Sequence, residues 1–366
     1  MTSGATQIWG LGTAVPDHRV SQPDSADFLA RVLSANDPSD RDRGSVIHRM
    51  AERSGIRTRY SVLSDYGSPD PASFSFFPSN WKLDPFPTTA TRLELYEAKV
   101  VDLAERAATR AIEAAGLDRR QITHLVFTTC TGFFAPGPEQ ALLSRLGLRR
   151  DVKRSLLGFM GCYAGFNALR TADEIVRADP DARVLHVSAE LCTLHLQRDS
   201  STATIVSNLL FADGAAAAVY GAGRERSLAR VVETASYLTH DTERDMSWRI
   251  GDHGFVMKLS PEVPRRLAQS VRPFVEGLLR REGVDAADAG FAVHPGGRRV
   301  LEAVGEALAI PDARAKPSFD VLSEFGNMSS ATILFVLERA LRAFEGPVVA
   351  LGFGPGLTME GALLWC

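Results

Sequence analysis

Along this chain, apolar runs repeatedly end in a polar residue or a glycine and then give way to helical periodicity. Ile122 to Thr129 is a β-branched and aromatic run that delivers Cys130-Thr131-Gly132-Phe133 and a turn at Pro136-Gly137-Pro138. Arg183 to Ala189 leads into Glu190-Leu191-Cys192, and Ala215 to Tyr220 follows the turn Leu210-Phe211-Ala212-Asp213-Gly214. Ala289 to Val293 ends in His294-Pro295-Gly296-Gly297, and Val348 to Leu351 ends in Gly352-Phe353-Gly354-Pro355-Gly356. Between these runs, helical spacing covers a segment opening with a capping-box pattern at Thr91-Arg92-Leu93-Glu94 and running to about Ala115. Further helices are expected up to about Arg177, from about Pro264 to Glu282, from about Val300 to Leu308, and from near Met328. Buried strands alternating with helices call for an α/β architecture of stacked layers. The second half echoes the first in order but not in sequence. A shift in composition at Gly221 to Arg226 sets the expected units at 1–222 and 223–366.

One stretch concentrates chemistry: Gly158-Phe159-Met160-Gly161-Cys162-Tyr163-Ala164-Gly165-Phe166-Asn167. The apolar Leu156-Leu157 lead into it, and a helix follows. Glycine at 161 permits a tight backbone, and Ala164 and Gly165 let the helix start pack closely. A cysteine at such a turn faces the positive end of the helix dipole, which favours the thiolate a nucleophile needs. The competing reading is a small buried hydrophobe, the common fate of free cysteines.

Bulk properties narrow the function. A net charge of −3 over 366 residues gives no electrostatic reason to expect nucleic acid or an anionic membrane as partner. The four cysteines, Cys130, Cys162, Cys192 and Cys366, form no Cys-x-x-Cys pair, and no histidines stand at metal-ligand spacing. So few cysteines suit a reducing compartment, and neither a leader pattern nor a membrane-spanning run is present, so the expected location is cytoplasmic.

Two more polar residues share the position of Cys162 at the end of an apolar run or at a turn into a helix. His294 precedes Pro-Gly-Gly, whose backbone can approach a ligand; alone it could be a satisfied core histidine. Asn327 sits in Gly326-Asn327-Met328-Ser329-Ser330, where it could simply cap a helix. Strand ends are nonetheless where α/β proteins build their sites. Arg49 and Arg53 stand at i and i+4 of a helix expected over about 46–54, as a solvated pair or a clamp for phosphates.

Six stretches, in order, carry a resemblance: Arg49-Met50 with Ser54 to Tyr60, Gly161 to Gly165, Leu210 to Ala217, His294 to Gly297, Ser323 to Ala331, and Gly352 to Thr358. The chain resembles a type III polyketide synthase of the chalcone synthase superfamily, and a bacterial member of it. The resemblance implies a thiolase-like fold of two similar halves in a layered αβαβα arrangement. It further implies a homodimer, substrates that are CoA thioesters (malonyl-CoA and an acyl-CoA starter), and no metal or organic cofactor. The N-terminal half would carry the nucleophilic cysteine, and the C-terminal half the histidine and asparagine. Carried onto this sequence, Cys162 holds the acyl chain. His294 keeps it as thiolate and, with Asn327, binds the thioester oxygen of malonyl-CoA. Phe211 and Met257 match gate positions between the CoA tunnel and the cavity. Cys130, Cys192, Leu194, His195, Ser207, Trp248 and Ser329 match cavity positions, and Arg49 and Arg53 match binders of the CoA phosphates. Ala135 would face the partner's cavity, and the loop from Gly352 to Gly356 would shape the cavity floor.

The chain departs from the plant enzymes at Met257 (usually phenylalanine), His195 (threonine), Trp248 (glycine) and Val46 (a basic residue). These departures turn the expectation away from a coumaroyl starter. Cys130 to Phe133 are similar to a stretch in a bacterial relative that makes tetrahydroxynaphthalene from malonyl units. A fatty acyl starter giving an alkylpyrone or alkylresorcinol is the other expectation. The alternative functions are a single condensation on carrier-protein thioesters (β-ketoacyl-acyl-carrier-protein synthase III), a silent thiolase-fold partner, and a cysteine hydrolase.

Overall fold

The computed structural model describes residues 5–39, 42–280 and 282–366. In the first half, β1 (Gln7–Ala14), β2 (His18–Ser21), α1 (Gln22–Asn36), α2 (Arg43–Arg53) and β3 (Thr58–Ser61) precede an irregular stretch. Then come α3 (Thr89–Ala114), β4 (His124–Thr129), α4 (Pro138–Arg145), β5 (Lys153–Gly158) and α5 (Ala164–Ala178). β6 (Val184–Leu191), α6 (Thr202–Leu210) and β7 (Asp213–Gly221) complete it. The second half starts with β8 (Ala229–Leu238), β9 (Met246–Gly251), β10 (Gly254–Leu259), α7 (Val263–Arg280), β11 (Gly290–Val293) and α8 (Arg298–Leu308). α9 (Asp312–Phe325), α10 (Thr332–Ala343), β12 (Pro347–Gly354) and β13 (Thr358–Trp365) follow.

Nine strands form one mixed sheet in the order β11-β12-β13-β8-β1-β7-β6-β4-β5, and the short β1–β8 pairing joins the two halves. Side chains alternate between faces because successive residues of a strand point opposite ways. Leu125 and Phe127 of β4 enter a core beneath α3, whereas Val126 enters a second core around α5 and α10. Val348 and Ala350 of β12 join that second core, and Val349 and Leu351 face a third beneath α7 and α8. Helix α10 touches β1 and β7 of the first half and β11 and β12 of the second, so it lies between them. The layering is therefore α3, strands, the α5–α10 pair, strands, then α7 with α8.

Several boundaries differ from the sequence reading. Helix α3 begins at Thr89, capped by the Thr88 hydroxyl on the Thr91 N–H, so Thr91 is inside the helix rather than at its cap. The segment after Asn327 is a tight 3₁₀ turn at Ser329–Ala331, and α10 starts only at Thr332. The hairpin β9–β10 and the closing strand β13 went unrecognised, since their residues mix polar and apolar types without clear alternation.

Candidate active site

Cys162 follows β5 through a turn that twice enters left-handed backbone, at Phe159 (φ 62°) and Gly161 (φ 89°). A Cβ at Gly161 would lie 2.3 Å from the Pro355 ring, so only glycine fits between the two segments. Gly165 likewise lets α5 start against the Ser330 carbonyl, where a Cβ would stand at 2.8 Å. The loop after β12 thus presses on the cysteine turn, and Pro355 helps wall the space in front of Cys162.

His294 follows β11 directly, and its N–H donates to the Leu351 carbonyl of the parallel neighbour β12 at 2.7 Å. It is fully buried, and neither imidazole nitrogen has a hydrogen-bond partner among the described residues. Burial pulls its pKa down to about 3, so the ring is neutral. Asn327 is tied by its own backbone: its N–H donates to the Leu210 carbonyl at 3.0 Å and its carbonyl accepts from Ala212 at 2.9 Å. Its Oδ1 accepts from the Ser329 N–H (2.8 Å) and the Thr332 hydroxyl (3.4 Å), leaving the amide N–H₂ as the uncommitted end.

The Ser329 and Asn327 side chains both favour the charged form of the Cys162 sulfur. Burial is the largest influence on that thiol and pushes its pKa up to about 11. The Ser329 bond opposes the rise, the Glu190 charge adds to it, and the Asn327 bond opposes it again. Burial thus opposes the dipole-favoured thiolate that the sequence reading expects at this turn.

Glu190 was not singled out from sequence. It closes β6 fully buried and accepts from the Cys130 N–H (2.9 Å), the Thr131 hydroxyl (2.7 Å) and the Ser330 hydroxyl. Burial raises its pKa to about 7 against these bonds. The signal was present, since Glu190 is a polar residue ending an apolar run, as His294 is. Cys130 itself accepts a hydrogen bond from the Gly161 N–H at 3.0 Å, joining this carboxylate cluster to the cysteine turn.

Two small cavities meet here. The inner one, about 20 Å³ measured for the centre of a water molecule, is lined by Cys130, Cys162, Cys192 and Ser329 among others. The outer, about 30 Å³ on the same measure, is lined by Cys192, His195, Ser207 and Phe255 among others. Cys192, Phe211, Trp248 and Met257 line both and so form the partition. Trp248 and Met257 are cross-strand partners of the β9–β10 hairpin, and the Trp248 indole N–H donates to the Cys130 carbonyl at 2.8 Å. His195 has no free nitrogen: Nε2 donates to the Thr131 carbonyl (2.7 Å) and Nδ1 accepts from the Phe255 N–H (3.1 Å). Its ring stacks on Phe255 at 4.1 Å, which makes it wall rather than reagent. Leu194 lines neither cavity; it is fully buried, and its carbonyl accepts from Arg92.

Arg49 and Arg53 share the exposed face of α2 and make no ion pair or hydrogen bond with the described residues. The opposite face, Ile47 and Ala51, packs with Ile205 and Leu209 of α6. Helix α6 carries Ser207 and is capped by Phe211, both of which line the outer cavity, while neither arginine lines a cavity.

Polar groups gathered where strands end, in two α/β halves sharing a central helical layer, define a thiolase-like enzyme. Models of the N-terminal and C-terminal domains of the chalcone and stilbene synthases match residues 1–224 and 230–366. The chain belongs to the chalcone and stilbene synthase family of type III polyketide synthases. It is 35% identical over 367 residues to an α-pyrone synthesis polyketide synthase-like protein, Pks18, of Mycobacterium tuberculosis, covering 97% of this chain and 90% of that one. It is 32% identical over 369 residues to a probable polyketide synthase 1 of Dictyostelium discoideum, covering 98% of this chain but spanning only 11% of that protein's length. Among solved structures, the C-terminal type III polyketide synthase domain of Steely1, a type I/III hybrid from Dictyostelium, superposes with a TM-score of 0.91. That domain is 31% identical in sequence, and the match covers 99% of each chain.

Proposed function

We propose that this chain catalyses iterative decarboxylative condensation of malonyl-CoA onto an acyl group held as a thioester on Cys162, closing the product to a small pyrone or aromatic ring. Neutral His294 accepts the thiol proton as Cys162 attacks the starter thioester and CoA departs. Malonyl thioester then loses CO₂, the bonding pair becomes an enolate, and N–H groups of His294 and Asn327 hold the developing oxyanion. The enolate carbon attacks the acyl-Cys162 carbonyl, the C–S bond breaks, and the chain leaves two carbons longer. These steps balance without an external oxidant or reductant.

The observation that carries this reading is the state of the donors. The Asn327 oxygen is spent, so its amide N–H₂ is the end left to donate, and both nitrogens of a fully buried neutral His294 are uncommitted. Around the cavities the opposite holds: His195, Trp248, Thr193 and Tyr66 have their donors already engaged with protein acceptors. Such a lining offers a carbonyl-rich folded chain little to bond with and suits an apolar acyl starter. Arg49 and Arg53, exposed side by side on α2, would meet the CoA phosphates.

The exposed edge strand β5, hydrogen-bonded only to β4 and bearing half-exposed Leu156 with Met160 just beyond, supports a homodimer that pairs this edge. No helix among the described residues is long and apolar enough to cross a membrane. All four cysteines are free thiols, which fits a cytoplasmic enzyme. Mass spectrometry of products from purified protein with malonyl-CoA, alone and with alkanoyl- and aroyl-CoA starters, tests the proposal. Alkanoyl-derived pyrones or resorcinols are expected; no product from any CoA thioester would overturn it.

A further inference from the structure

Helix α6 ends with every carbonyl of its last turn taken. Ser207 O accepts from the Phe211 N–H and Leu210 O from the Asn327 N–H, while Leu209 O accepts from the Gln22 side chain at 2.8 Å. The remaining carbonyls, Asn208 O and Phe211 O, are both held by one guanidinium nitrogen of Arg59. Arg59 Nε donates to Gln22 Oε1 at 3.1 Å, so the two side chains form one unit under the helix end.

Arg59 lies on β3 and is 2% exposed. A group this buried is costly unless its hydrogen bonds are met, and a cation at a helix C-terminus gains from the dipole. Burial lowers its pKa to about 10, still far above neutrality, so it stays charged. The stem of the same side chain touches the catalytic segment. A Cβ on Gly326, left-handed at φ 70°, would stand 3.0 Å from Arg59 Cγ and 3.1 Å from Cδ. The two ends of Arg59 thus grip the backbone of Phe211 and pack under the residue preceding Asn327. Phe211 and Asn327 are themselves bridged strand-fashion. A second tie flanks this one, since the Asp213 carboxylate accepts from the Val62 N–H (2.8 Å) just after β3.

We propose that Arg59 is a positioning residue that sets the Asn327 amide and the Phe211 ring relative to Cys162. This rests on the roles given above to Asn327 and Phe211. Arg59 bonds no cavity side chain; it acts through the backbone of 208–211, with Gln22 beside it, and through its packing against Gly326. Its loss would let the amide drift from the sulfur, and transition-state hydrogen bonds lose strength steeply with misplacement.

The test measures malonyl-CoA decarboxylation, kcat and KM separately, together with thermal unfolding, for wild type, Arg59→Met, Arg59→Lys and Ile112→Ala. Ile112, buried at the C-terminal end of α3, supplies a core destabilisation remote from these contacts. Well below its unfolding temperature, Arg59→Met should lose roughly tenfold or more in kcat with a smaller change in KM. Arg59→Lys, which can reach one carbonyl but not both, should recover part of that loss, and Ile112→Ala should keep wild-type kcat. A folded Arg59→Met enzyme with wild-type kcat would overturn the proposal. If that variant does not fold, a full-rate Arg59→Lys enzyme would do so. Wild-type protein that fails to decarboxylate malonyl-CoA, or an Asn327→Ala variant at full rate, would instead strike the underlying reading.

Discussion

The turn carrying Cys162 and the hairpin carrying Trp248 meet in one small space, yet they are built on different terms. The first announces itself in the sequence: glycines at 161 and 165, where Pro355 and Ser330 press close, and polar residues set where apolar strands stop. The second is dictated by what it packs on. Trp248 is held by a carbonyl 118 positions away in sequence, and Met257 stands opposite it only because β9 pairs with β10. Both rest on long-range contacts, but the chemistry is marked in the sequence by its glycines and strand ends, whereas the shape of the room around it carries no such mark.

Variants at each place should separate the two. Cys162→Ser should have the largest effect, lowering condensation by roughly 10³-fold or more because a serine hydroxyl is a far weaker nucleophile than a thiol; near-normal product formation would remove Cys162 from the acyl-carrying role. Trp248→Ala should act on the room alone. With the partition opened, product mass should move to bulkier starters or more extensions while total turnover stays within about tenfold, and an unchanged product set would show that the indole is not the divider.

A third expectation concerns acid. His186, His195 and His294 are buried neutral with pKa values lowered by burial to about 3, against an ordinary 6.5. A depressed folded-state value means stability present above pH 6.5 and lost as pH falls toward about 3. Glu190 and Asp213, raised by burial to about 7 and about 6, work the other way, favouring the folded state at low pH and losing that contribution as pH rises through those values. The three histidines span the wider interval, so chemical-denaturant midpoints should fall on acidification from about 6.5 to about 4, and a flat profile would contradict it. Arg53→Ala should have the smallest effect, raising KM for CoA substrates roughly threefold at low salt with little change in kcat; an unaltered KM would take Arg53 out of the clamp.

Much of the fold could be read from the chain because its strands are buried on both faces and therefore nearly continuous in apolar residues, as in β4 and β7. The same rule, a polar residue ending such a run, found His294 and would have found Glu190. It could not show Arg59, whose meaning lies in carbonyls more than a hundred residues away, nor His195 as a wall, since its tautomer is fixed by Thr131 and Phe255. Nor could it show the burial that opposes a thiolate at Cys162, since a helix dipole is legible in sequence and desolvation is not.

The most direct test of the central claim, that Cys162 carries the chain while His294 and Asn327 run the decarboxylation, is release of CO₂ from malonyl-CoA by Cys162→Ala and Asn327→Ala side by side. The account predicts that the alanine at 162 still produces acetyl-CoA without condensing it. The alanine at 327 should lose decarboxylation while iodoacetamide still alkylates its cysteine. Decarboxylation abolished at 162 but intact at 327 would contradict the division of roles.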